Sequence, residues 1–262
     1  MCHCVSVIPD TGRPQVPAAD QTLRMLTFLA RQRGPVAART ICTALNIPRS
    51  SAYHLLRTLE EHGFVVHVAD SRRWGLGTAA FELAGGYARQ QPLARLGRPL
   101  VSALADSTGE SAHLAVMSGA DVVYIVEERA PHRPALVTDV GVRLPAHLTA
   151  TGRAMLAALP REQVRALYPD ASAFADRTGF GPRTPAQLRE SLRETRRRGY
   201  ATENDEVTLG LRSIGVAVLD HAGWPAAAVA VTWAADTDPD AAALAARLSA
   251  SADELSRRIG AR

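Results

Sequence analysis

The segment Ile47-Pro48-Arg49-Ser50-Ser51-Ala52-Tyr53-His54-Leu55-Leu56-Arg57-Thr58-Leu59 carries two faces at helical spacing. Ala52, Leu55, Leu56 and Leu59 recur at intervals of three and four and form an apolar stripe. Pro48 suits the first helical turn and Gly63 the end, so the pattern predicts a helix from about 48 to 63. The opposite face carries Arg49, Ser50, Ser51, Tyr53, His54, Arg57 and Thr58. Five of these seven offer short or rigid donors to phosphate oxygens or base edges. Arg57 suits a bidentate contact with guanine, Ser50 and Ser51 a phosphate near the helix start, and Tyr53 a contact through its phenol. The plain alternative is a surface helix with a solvated polar side.

The neighbours decide between the two. From Asp20, read as an N-cap, Leu23, Leu26, Leu29 and Ala30 mark a first helix that stops at Gly34-Pro35. A second helix fits 37–45, with Ile41, Cys42 and Leu45 inward, and Asn46 supplies the left-handed turn before the quoted segment. Two apolar stretches, 64–68 and 74–76, flank Ala69-Asp70-Ser71-Arg72-Arg73 and read as a hairpin with two arginines at its tip. Three helices, a tight turn before the third, then a two-stranded wing is the order of a winged helix-turn-helix. Arg39 beside the second helix and Arg72 and Arg73 on the wing join the candidate phosphate contacts.

Charge follows the same division. The chain has 262 residues, and every basic residue is Arg. Residues 1–90 hold 10 Arg against 6 Asp and Glu, and residues 91–262 hold 20 against 20. The formal excess of +4 thus sits in the N-terminal third, as expected of a polyanion-binding module joined to a neutral one. With 47% apolar residues and 21% charged, the chain is globular rather than disordered or fibrous. No apolar run is long enough to span a membrane. The first residues do not read as a signal peptide, so the expected location is cytoplasmic. Three cysteines imply no disulfide framework. Cys2-His3-Cys4 is spaced too tightly to close on one tetrahedral zinc, so no metal and no cofactor is expected.

Residues 1–19, with three prolines and no periodicity, read as a flexible lead-in. A DNA-binding domain with a linker helix then spans 20–88, and a second domain spans 89–262. In that domain helix-like and strand-like periods alternate: a helix 93–107, strands 111–118, 121–128 and 134–140, helices 150–159, 161–167 and 184–198, strands 213–220 and 225–233, and a helix 239–259. The fold class is α+β, with helices packed on an antiparallel sheet.

The stretch Leu23–Gly77, with Ile41-Cys42, the quoted segment and Trp74-Gly75-Leu76-Gly77, resembles the isocitrate lyase regulator (IclR) family of bacterial transcription factors. Ser107-Thr108-Gly109-Glu110, Gly141-Val142-Arg143-Leu144-Pro145-Ala146-His147, Thr151-Gly152-Arg153-Ala154-Met155-Leu156-Ala157, Arg198-Gly199-Tyr200-Ala201 and Gly210-Leu211-Arg212-Ser213-Ile214 are similar to that family's landmarks, in its order. The likeness covers about 22–235. It implies a winged helix-turn-helix that dimerises on a double-stranded DNA operator, and a GAF-like domain that binds a small effector, an organic acid or aromatic, and helps form a homo-oligomer, dimer or tetramer.

The resemblance places Ala150 and Thr151 at the amide wall of an effector pocket, with Glu203 and Ser213 across it. Read alone, Thr149–Arg153 opens a helix whose free amides favour a carboxylate or are capped by Thr149 or Thr151. Glu203 reads either as part of a solvated acidic run or as a selector of a hydroxyl-bearing or neutral ligand. His54 stands where most members carry Arg, and weaker contact is expected there. Arg153 replaces the usual Lys and keeps its charge. An enzyme is the competing class, since His113, His147, Glu110 and Glu203 are present. No nucleophile or phosphate-loop motif supports it, no catalytic residue is assigned, and both histidines read as structural. A non-specific architectural DNA binder is disfavoured by the neutral second half.

Overall fold

The structure, a computed structural model, describes residues 16–30, 32, 34–83, 92–131, 138–237 and 239–260. It divides into two compact units, Met1–Gln90 and Gln91–Arg262. The boundary expected near residue 88 lies outside the described residues, as do Cys2-His3-Cys4 and most of the lead-in.

In the first unit helix α1 spans Pro17–Ala30 and begins three residues before Asp20. Pro17 fits this start because a first-turn residue needs no amide donor. Asp20 therefore lies in the first turn rather than at the cap, and its amide donates to the Val16 carbonyl at 3.1 Å. The buried face is Met25 and Leu29, four residues apart, while Leu23 faces solvent at 65% exposure. Strand β1, Val36–Ala37, precedes helix α2, Ala38–Leu45. Asn46 takes the left-handed conformation at φ 54° and turns the chain into helix α3, Arg49–Glu61. Ala52, Leu56 and Leu59 of α3 are buried against Met25, Ile41 and Trp74, and Leu55 is half-buried at the edge of this core.

Strands β2, Val65–Val68, and β3, Arg73–Leu76, form the wing, and β1 adds to the other edge of β3. A 3-10 turn, Ala69–Ser71, and Arg72 at φ 52° close the hairpin. His67 and Trp74, partners in register on one face of the wing, have ring centroids 4.6 Å apart and rings tilted by 37°. A helical segment follows at 78–83.

The second unit is one six-stranded antiparallel sheet between two helix layers. Its strands are β4 Ser111–Ser118, β5 Asp121–Glu128, β6 Arg143–Pro145, β7 Ala201–Asn204, β8 Leu211–Leu219 and β9 Pro225–Ala234, ordered β6-β5-β4-β9-β8-β7. Residues 138–140 of the expected strand 134–140 are not strand, and 132–137 lie outside the described residues. The pairing there is made by β6, where Arg143–Pro145 lies against Val123–Asp121. Strand β7 is an element the apolar pattern does not signal.

Successive side chains of a strand point to opposite faces, and this sorts the core. Leu114, Ile214, Val216, Val229 and Val231 pack against helices α4, Pro92–Thr108, and α8, Ala241–Gly260, through Val101, Leu104, Leu248 and Leu255. The other face meets helix α5, Ala150–Ala158, and helix α7, Pro185–Arg198, which brings Leu188 and Leu192 beside Met155 and Leu156. Helix α6, Arg161–Leu167, contributes Val164 to that layer. Gly215 lets α5 approach β8 closely, since a Cβ there would lie 2.7 Å from the Ala150 carbonyl carbon.

Leu56→Ala is expected to destabilise the first unit by about 2–5 kcal/mol, the cost of an unfilled cavity under a fully buried leucine. Hydrogen exchange of the α2 and α3 amides in the full chain is the measurement, and unchanged protection would show that Leu56 does not hold α3.

Candidate functional site

The site residues predicted for the first unit lie on the outer face of α3 and on the wing. Arg49, Ser50, Tyr53, His54 and Arg57 are exposed, and Ser51 is half-buried. Arg49 and Tyr53, one turn apart, meet with the guanidinium carbon 5.7 Å from the ring centroid, which orders both on one surface. Arg57 Nε lies 3.3 Å from the Glu61 carboxylate, with both side chains largely in solvent. An exposed pair of this kind is weak and is exchanged at little cost for a phosphate. Arg39 is exposed on α2. Arg72 sits at the wing's left-handed corner, whereas Arg73 belongs to β3 and its guanidinium donates to the Pro35 carbonyl at 3.5 Å. Both side chains are exposed, Arg72 at the tip and Arg73 at the start of β3.

In the second unit Ala150, Thr151, Glu203 and Ser213 line one cavity of about 30 Å³, together with His113, Tyr124 and Thr232. The walls follow from strand alternation. His113, Ser213, Thr232 and Glu203 occupy the sheet face that carries α5, opposite the Val- and Leu-rich face. Ser213 pairs in register with both Glu203 and Thr232. The result is a hydrogen-bonded row across four neighbouring strands: Ser213 Oγ donates to Glu203 Oε2 at 2.9 Å, and the hydroxyls of Ser213 and Thr232 lie 2.9 Å apart. Thr232 Oγ1 is 2.9 Å from His113 Nε2. Glu203 Oε1 also accepts from the amides of Glu206 and Val207, at 2.8 and 3.1 Å.

Glu203 is 3% exposed, so it is not part of a solvated acidic run. Burial raises its pKa, and the donors from Val207 and Ser213 oppose that rise. His113 is fully enclosed, and burial, aided by the charge of Arg129, brings its pKa down to about 4. It is therefore neutral at pH 7, and its Nδ1 has no hydrogen-bond partner. Its ring packs edge-on against Tyr124, whose phenol is hydrogen-bonded to Thr151.

The floor is the start of α5. Thr149 Oγ1 accepts from the Gly152 amide at 3.0 Å, and the Thr149 carbonyl accepts from Arg153. The amides of Ala150 and Thr151 remain at the helix N-terminus, where no intrahelical acceptor exists. Arg153 underpins this corner. It is 4% exposed, donates to the His147 and Thr202 carbonyls at 2.8 and 2.7 Å, and pairs with Glu206. Burial lowers its pKa to about 10, which leaves it cationic at pH 7. His147 has a scaffold position, 3.0 Å from the Ala175 carbonyl and wedged edge-on against Tyr168 and Phe174.

His113, Tyr124 and Thr232 are cavity residues that the sequence reading did not place there. A signal for two of them existed: His113 and Thr232 are polar at inward positions of otherwise apolar strands. No cluster of metal-ligating side chains occurs among the described residues, and no helix among them is long and apolar enough to cross a membrane.

His113→Gln is expected to flatten the acid side of the stability curve. Its folded pKa of about 4 lies below the unfolded value of 6.5, so the unfolded chain gains the proton first and stability falls as pH drops from about 6.5 to 4. The full effect is about 3 kcal/mol. Glu203, with its raised pKa, acts in the opposite direction, so the difference between wild type and variant isolates the histidine. An equal loss of stability from pH 7 to 4.5 in wild type and variant, read from denaturant titrations, would contradict the assignment.

The comparisons with known proteins agree with this architecture. The IclR helix-turn-helix domain matches residues 18–69, and the domain described as "Bacterial transcriptional regulator IclR C-terminal" matches 85–257. The transcriptional repressor IclR of Escherichia coli is 30% identical over 230 residues, covering 87% of this chain and 83% of that protein. The crystal structure of the Thermotoga maritima IclR superposes with a TM-score of 0.70 at 26% identity, covering 92% of this chain and 98% of that one. An IclR homolog from Microbacterium hydrocarbonoxydans, complexed with 4-hydroxybenzoate, shares the fold at a TM-score of 0.79 and 19% identity, over 94% of this chain and all of that one. With both domains matched in order, the chain belongs to the IclR family of DNA-binding bacterial transcriptional regulators.

Proposed function

We propose that this regulator binds a pseudo-palindromic operator as a homo-oligomer in the cytoplasm and that a small metabolite held in the α5 cavity sets its occupancy of DNA. The observation that carries the reading is the cavity itself: two helix-terminal amides, a buried carboxylate held by three donors and a neutral histidine converge on one enclosed space. Such a set orients a small polar ligand. Ala150 and Thr151 take its carboxylate or other acceptor, and Ser213 and Glu203 read the opposite end. The complex of the Microbacterium hydrocarbonoxydans relative with 4-hydroxybenzoate supports a small organic ligand. A ligand with unequal affinity for the DNA-competent and incompetent arrangements shifts the balance between them.

On DNA, α3 enters the major groove. Arg49, Ser50, Ser51, Tyr53, His54 and Arg57 face base edges and flanking phosphates, while Arg39, Arg72 and Arg73 face the backbone. Leu23, Phe81 and Leu83, apolar and at least 65% exposed, support an oligomer that covers them. The domain roles are then operator reading in 20–88 and effector binding with assembly in 89–262. No enzymatic step is assigned, because the sequence carries no nucleophile or phosphate-loop motif.

Fluorescence anisotropy on the DNA upstream of the chain's own gene, against a scrambled duplex at two salt concentrations, tests the reading. A preference of about a thousandfold is expected, and equal binding would overturn specific recognition there. Arg57→Ala is expected to lose about 1–3 kcal/mol at one base position, while Arg72→Ala lowers the salt slope by about one with sequence preference unchanged. Glu203→Ala with Ser213→Ala should keep operator affinity and lose release by the metabolites that release wild type, with 4-hydroxybenzoate as the first tried. Retained release by the double variant would move the effector out of this cavity.

A further inference from the structure

A second cavity, of about 590 Å³, lies between α6 and α7 on the outer side of the second unit. Its floor is apolar: Val164, Tyr168, Leu188 and Leu192 are all buried. Its walls are cationic. Arg161 and Arg165 stand one turn apart on α6, and Arg189, Arg193 and Arg196 follow at spacings of four and three on α7. All five are exposed. One carboxylate reaches them, Glu190, which Arg193 holds at 2.5 Å.

The other four have no carboxylate within ion-pair distance among the described residues. Arg196 donates its Nε to the Ala157 carbonyl at 2.7 Å, and the charge of Arg161 bears on it with no anion between them. The next arginines of the same helix, Arg197 and Arg198, share Glu194. Charge compensation therefore stops at the face that lines the groove. Like charges gathered along one groove repel, and an anion seated among them relieves that repulsion.

We infer that this groove is a binding site for a small polyanion of the polyphosphate class, separate from the α5 cavity. Guanidinium groups match phosphate oxygens in bidentate fashion. Arginines on both walls need at least two charged groups on one ligand. Four residues of helix rise about 6 Å, so a chain of two or three linked phosphates spans the successive cations of either wall. The volume suits a small molecule, since pockets for such ligands run from about 300 to 1,000 Å³.

Calorimetric titration of the full chain with inorganic tripolyphosphate tests the inference, with sulfate at matched ionic strength as the reference. Tripolyphosphate is expected to bind at least about tenfold more tightly than sulfate, and Arg161→Gln with Arg189→Gln to remove that advantage. Both side chains are on the surface, so far-UV circular dichroism should be unchanged. Arg57→Ala with Arg72→Ala should leave the binding intact, which separates the groove from the basic DNA-reading unit. No binding, or binding lost only in the second pair, would overturn the inference. So would a change of sedimenting mass in the Arg161→Gln, Arg189→Gln variant with no tripolyphosphate binding in wild type, which would make the groove a contact between copies.

Discussion

The buried charge of Arg153 is the constraint on which the second unit's architecture turns. A guanidinium removed from water costs several kcal/mol unless its donors are met, and here they are met by three separate stretches of chain. His147 lies in the turn before α5, Thr202 is on β7, and Glu206 is in the loop after β7. One side chain thereby fixes the start of α5 against the edge of the sheet. The same loop is held again by Glu203, which takes the amides of Glu206 and Val207. Cavity floor and cavity wall are thus two ends of one electrostatic arrangement. A lysine at 153 would supply the charge but lack the planar fork that spans several acceptors at once.

Much of the first unit is legible in its sequence because its signals are local. The stripe Ala52, Leu56 and Leu59, the left-handed Asn46 and the short wing strands each report on neighbours within a few residues. Where several apolar residues compete for one helical face, the reading slips. In α1 the stripe Leu23, Leu26, Leu29 and Ala30 holds in part: Leu29 is buried and Leu26 half-buried against the core, while Leu23 and Ala30 face solvent and Met25 joins Leu29, because the contacts with Ile41 and Trp74 select the face. The helix start is harder to place for another reason: Pro17 suits a first turn but follows a proline-containing stretch with no periodicity of its own.

The site in the second unit was legible only in part. Ala150, Thr151, Glu203 and Ser213 are brought to one cavity, as the family resemblance implied. His113 reads from the sequence as a structural inward histidine, and in the fold its ring also lines this cavity. What gives it a place at the cavity is non-local: residues 113, 203, 213 and 232 meet only when four strands lie side by side. Strand β7 was missed because Ala201–Asn204 has no apolar alternation and carries a carboxylate that hydrophobic patterning treats as solvated. Likewise the arginines of α6 and α7 resemble any charged helical surface until the packing sets them face to face.

The size of the α5 cavity has a kinetic meaning. At about 30 Å³ it holds one or two water molecules, and an organic acid has several times that volume. On the proposed function, a ligand of that size needs the loop after β7, whose Glu206 and Val207 amides are held by Glu203, to release. On that reading, association is limited by how often the loop opens rather than by diffusion. The measured affinity is the intrinsic one reduced by the open fraction. On that reading, loosening the loop without touching the ligand raises the open fraction and with it the apparent affinity.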